Sequence, residues 1–220
     1  MDQLFEAIKQ GDQAAVGRIL TADPAAARAV DANGVSAVLT AAYYGNAAAV
    51  AALRAADLEL NVFEAAAVGD VDRVRALVEA DPALAQAYAS DGFHALGRAA
   101  FFKHTHVVRV LIAAGADARA ASRNAMAVTA LHSAVADGGD REMVDMLIAA
   151  GADVNAVQQD GFVPLHAAAQ TGSRAVAEAL LAAGADPSLL NASGQRAADI
   201  ARKNGHADLA RRLEHAPDAG

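Results

Sequence analysis

Near-copies of one short segment recur along this chain at almost constant spacing, and that recurrence limits the possible folds more than any other property. "LIAAGADARA" (111–120), "LIAAGADVNA" (147–156) and "LLAAGADPS" (180–188) each follow a valine-containing stretch, while "VTALHSAVADGG" (128–139) and "VPLHAAAQTG" (163–172) align on Leu-His. Taking the residue three before each such histidine, or its counterpart, gives Ser36, Leu60, His94, Thr129, Val163 and Arg196, at intervals of 24, 34, 35, 34 and 33. One copy alone, such as 161–188, is two short alanine- and leucine-rich helices cut apart by Gly172 and Gly184. Such a pair cannot bury its apolar faces unaided, so it must stack on neighbours of the same kind. The alanine content follows from that. The chain is 55% hydrophobic but only 4% aromatic, and small side chains let neighbouring helices approach closely.

The period of about 33 residues, with "PLHAAAQTG" leading to "LLAAGADPS", resembles the ankyrin-repeat family over essentially the whole length. The resemblance implies an all-α solenoid of about seven helix-turn-helix units joined by short β-turn fingers. Local chemistry agrees. Thr129 suits a helix cap, Pro164 a first helical position, and Gly172 and Gly184 helix ends that need left-handed backbone. We expect one domain over 1–216, with an N-terminal cap at 1–30, an irregular junction at 55–62, a polar C-terminal cap at 190–215 and a disordered tail at 216–220. The short interval of 24 predicts a missing finger near Asp57 to Asn61. The third unit, "VFEAAAVGDVDRVRALVEADP", echoes the first, "LFEAIKQGDQAAVGRILTADP", as a second start within the array. The fifth unit has a finger two residues longer and a bulge at Gly138-Gly139.

Several function classes are disfavoured. A formal charge of −8 repels phosphate backbones, so nucleic acid is not expected as a partner. There is no cysteine for thiolate metal sites or disulfides. The opening "MDQLFEAIKQGDQ" lacks a signal-peptide pattern and no long apolar run is present, which predicts a cytoplasmic protein with no membrane partner. No phosphate-loop, zinc-protease or nucleophile-elbow motif occurs. The carboxylates of Glu6, Glu64, Asp70, Asp72 and Asp208 fall at periodic places that suit solvated helix ends. His104 and His106 form the only histidine cluster, and His-x-His at a helix start does not put both rings on one face. No cofactor and no metal are expected. The resemblance gives His132 and His166 a structural role, bonding the turn of an adjacent unit.

What remains is a surface. In the ankyrin family partners usually bind the concave face, made by finger tips and the exposed ends of the first helices. Carried over by register, that face takes in Tyr43, Tyr44, Phe93, Phe101, Phe102, Phe162 and Gln170, with Arg123, Asn124, Met126, Gln158 and Gln159 in the fingers. Six of the nine aromatic residues fall there, and aromatic rings are what binding hot spots use. The competing reading is that these rings only fill gaps between fingers. Lys103 breaks the rule of Gly11, Gly45, Gly69, Gly172 and Gly205 at the end of the first helix, beside Phe101 and Phe102. The expectation is a monomeric, non-enzymatic module binding another protein. Two alternatives stay open: a self-associating scaffold whose aromatic stripe is a dimer surface, and a hydrolase working through groove aspartates or histidines.

Overall fold

The computed structural model describes residues 2–56 and 58–216. Asp57, in the irregular junction, and residues 217–220 of the tail lie outside the described residues. Seven helix pairs follow one another: α1 (Asp2–Gln10) and α2 (Gln13–Ala22), α3 (Ala37–Tyr43) and α4 (Ala47–Ala55), α5 (Val62–Val68) and α6 (Val71–Ala80), α7 (Ala95–Phe101) and α8 (Thr105–Ala113), α9 (Ala130–Val135) and α10 (Arg141–Ala149), α11 (Pro164–Thr171) and α12 (Arg174–Ala182), and α13 (Ala197–Lys203) and α14 (Ala207–Glu214). First helices pack on first helices and second on second, as in α5–α7–α9 and α6–α8–α10–α12. The protein is an all-α repeat solenoid. Its core is a continuous ladder of alanine, leucine and valine, with Leu96, Leu131 and Leu165 recurring at one helical position and fully buried.

The helix ends explain why the units are so short. Thr129 caps α9, its hydroxyl accepting the His132 N–H, and Pro164 opens α11. Gly172 closes α11 in the left-handed region, at φ 71°. In α5 the cap is Asn61, not Leu60, so the ladder read from the sequence is out by one residue there. Asn61 accepts the Phe63 and Glu64 N–H groups, and the Glu64 carboxylate returns to the Asn61 N–H. Leu60 is buried instead. Glu64 is correspondingly buried, not a solvated helix-end acid, because it closes this capping box.

Three of the fingers close with a single antiparallel bridge: Val30 with Ser36, Tyr88 with His94 and, two residues longer, Ala121 with Thr129. Before α5 the chain passes from α4 through only residues 56–61, with no finger among the described residues. Units one and three share a further device. Asp23-Pro24 and Asp81-Pro82 each start a 3-10 turn, with the aspartate accepting from the N–H two residues on. In the bulge after α9, Asp137, Gly138 and Gly139 all take positive φ.

Candidate partner-binding groove

Successive fingers are stitched edge to edge by backbone hydrogen bonds. Arg123 donates to the Gly92 oxygen at 2.8 Å, Gln159 to Met126 at 2.9 Å and Ala192 to Asp160 at 2.8 Å. Close approach needs glycine at two of these seams: a Cβ on Gly92 or Gly161 would lie 2.9 Å from the next finger's backbone. The finger row is held to the helix row by imidazoles. His166 Nδ1 accepts the Val163 N–H at 3.1 Å, and Nε2 reaches the Leu189 oxygen at 3.1 Å in the next unit. His132 does the same toward Phe162, at 3.4 Å. Unit four solves the problem with a swap. His94, moved to the cap position, accepts the Gly97 N–H at 3.0 Å and reaches Ala120 O at 3.0 Å. Gly97 stands where units five and six carry His132 and His166, and a Cβ there would crowd the His94 ring at 3.2 Å. Burial holds all three imidazoles below their ordinary pKa, so each stays neutral, one nitrogen accepting and one donating.

Between the finger row and the first helices lies a groove of about 710 Å³. Its apolar lining includes Tyr43, Phe93, Phe101, Phe102, Met126 and Phe162, with Gln158, Gln159 and Gln170 along the edge. Tyr43, Phe101 and Met126 remain 45%, 50% and 47% exposed. The rings also touch one another. Tyr43 lies 5.2 Å from Phe102 and 6.0 Å from Phe101, although these helices belong to units two and four. The small residues Ala65, Ala66 and Ala67 of α5 lie between them in the unit order. The rings therefore pack across a fingerless unit and still present open faces.

Four of the sequence-predicted residues stand outside the groove lining. Tyr44 is exposed beyond the end of α3. The Arg123 guanidinium covers the Tyr88 ring at 3.8 Å. Asn124 is turned inward, bonding Asp91 O at 2.9 Å and the Ser122 hydroxyl. The Lys103 ammonium sits 3.4 Å from the Asp137 carbonyl oxygen.

Arg98, Asp137 and Asp160 line the groove and were not singled out from the sequence. Arg98 is 2% exposed. It is ion-paired with Asp91 and donates to the Tyr43 hydroxyl at 3.0 Å, while its Nε finds no acceptor. The signal for Arg98 was present in the repeat register: other units carry Thr40, Ala65, Ser133, Ala167 and Ile200 at that place. The histidine cluster, by contrast, is dispersed. His104 Nε2 bonds the Ala67 oxygen at 3.0 Å and His106 is exposed. Among the described residues no three potential metal ligands converge.

Paired helices throughout, with stacked fingers and a histidine bridge in units four to six, form one repeating plan, and the family comparison agrees with it. A family model for ankyrin repeats in three copies matches residues 62–158 and, overlapping, 131–219. The chain belongs to the ankyrin-repeat family. Helices α1 to α4 precede the matched region and share its architecture by geometry. No curated protein matches the chain. Ankyrin repeats are generally protein-interaction modules and typically not enzymes. No helix among the described residues is long and apolar enough to cross a membrane.

Proposed function

We infer that this ankyrin-repeat protein is a non-enzymatic module that holds another protein in the groove between its fingers and first helices. The observation that carries the reading is the run of half-exposed Tyr43, Phe101 and Met126 side chains on the groove floor. Large apolar side chains left open in a concavity are what a partner's anchor residues fill. Catalysis finds no support in the same place. The His132 ring is committed to backbone and Thr129 partners, and among the described residues neither Asp137 nor Asp160 makes a side-chain hydrogen bond to an orienting group.

Affinity capture with the intact protein and with the double variant Phe101→Ser/Met126→Ser tests this. Both side chains are half exposed, so helical content should persist. Hot-spot truncations cost about 1–3 kcal/mol each, so partners retained by the parent protein should be lost. Retention of the same proteins by both would place binding elsewhere.

A further inference from the structure

The groove also states what charge its occupant should carry. Among the residues lining it, three are formally charged: Arg98, Asp137 and Asp160. The guanidinium of Arg98 is buried and already held by Asp91 and the Tyr43 hydroxyl, so it offers little to an incoming anion. Asp137, in the turn after α9, and Asp160, at the following finger tip, are both exposed, and among the described residues neither carboxylate takes a hydrogen bond or an ion pair. Lys103 approaches Asp137 through the backbone carbonyl alone and stands outside the lining. His132, the imidazole facing the groove, has its pKa lowered by burial, which disfavours the charged form. The result is an apolar, aromatic floor with two unpaired carboxylates beside it, on a chain of formal charge −8. The open faces of Tyr43 and Phe101 add to this, because aromatic faces attract cations.

We propose that the groove takes a polypeptide segment with a large apolar side chain for the floor and a lysine or arginine for Asp137 and Asp160. This rests on the reading of the groove as a protein-binding site and adds the chemistry of the partner. Apolar anchoring supplies the affinity; the carboxylates select the sign of charge and speed association at low salt.

A random dodecapeptide library displayed on phage, panned against the full-length protein, tests it. The most enriched sequence is then synthesised and titrated by calorimetry into the parent protein, Asp137→Asn/Asp160→Asn and Phe101→Ser/Met126→Ser, each first checked for helical content. Asparagine keeps the shape and tolerates the left-handed backbone that both aspartates adopt. Enrichment should favour basic residues next to aromatic or aliphatic ones. The aspartate variant should bind about tenfold more weakly, the scale of two partly desolvated charge pairs, and lose most of its salt dependence. Enriched peptides that are neutral or acidic, or an unchanged affinity in the aspartate variant, would overturn the charge assignment. The groove reading would survive that result if Phe101→Ser/Met126→Ser still abolished binding. Undiminished binding by the latter variant, or no enrichment at all, would remove both. A dimer in sedimentation that Phe101→Ser/Met126→Ser dissolves would assign the groove to a second copy and equally overturn the proposal.

Discussion

Lys103 shows how one residue's tolerance is set by a different unit. Its φ of 62° is left-handed, as at Gly69 and Gly172, the glycines that end α5 and α11. Over those two glycines the following unit lays an imidazole, His104 and His206, which a Cβ would meet at 2.7 and 2.5 Å. The residue after Lys103 in the same stacking position is Asp140, which bonds the Thr105 hydroxyl at 3.0 Å and brings no ring. Strain is then the sole cost, so Lys103→Gly should raise stability by up to roughly 1 kcal/mol in urea titration. Gly172→Ala should lower it by about 2 kcal/mol or more, because strain and ring collision combine. The buried imidazoles make a second claim at this scale. His94, His132 and His166 are depressed below 6.5 in the fold, so the unfolded chain binds more protons as pH falls through 6.5. Their stability contribution is full above that pH and declines below it, by up to about 1.4 kcal/mol per pH unit for each ring. Urea midpoints at pH 7.5 and 5.5 should differ in that direction, and His166→Asn should reduce the difference.

At the scale of elements, Arg98 joins a finger to two first helices. Asp91 belongs to the finger before α7, Arg98 to α7 and Tyr43 to α3. Asp91 retains 26% side-chain exposure and can turn to water, whereas the guanidinium at 2% cannot. Losing either partner is therefore not equivalent. Asp91→Asn, which strands a buried cation, should cost about 3 kcal/mol, and Arg98→Met distinctly less. Equal losses in thermal unfolding would show that the pair is valued for its charge attraction, not for the burial of one member.

For the whole molecule, the weak place is the junction before α5. Elsewhere adjoining fingers share backbone hydrogen bonds, but among the described residues none joins the finger at 30–36 to that at 88–94. Only side chains close the gap, through Tyr43 on Arg98 and Phe102, with Gly34 facing the Ser90 hydroxyl. Solenoid stability is a sum of unit and neighbour contributions, so a thin interface is where cooperativity breaks. Amides of α1 to α4 should exchange hydrogen faster than those of α7 to α12, and Tyr43→Ser should widen the gap. Uniform protection would mean that the side-chain bridge equals a finger seam.

The sequence alone determined the period, the seven helix pairs, the cap at Thr129 and the first helical position at Pro164, and the register that brings Tyr43, Phe93, Phe101, Phe102, Met126 and Phe162 to one side. Those properties depend on near neighbours in the chain, where helix period, capping and left-handed glycine are local chemistry. The tertiary structure decided what depends on distant partners. Asn61 displaces Leu60 as a cap because Glu64 can fold back on it and Leu60 can be buried. Arg123 and Asn124 leave the groove because a neighbouring ring and a neighbouring carbonyl hold them. Arg98, an oddity in the repeat register, becomes part of the groove lining because Asp91 and Tyr43, seven and fifty-five residues away, arrive at its guanidinium.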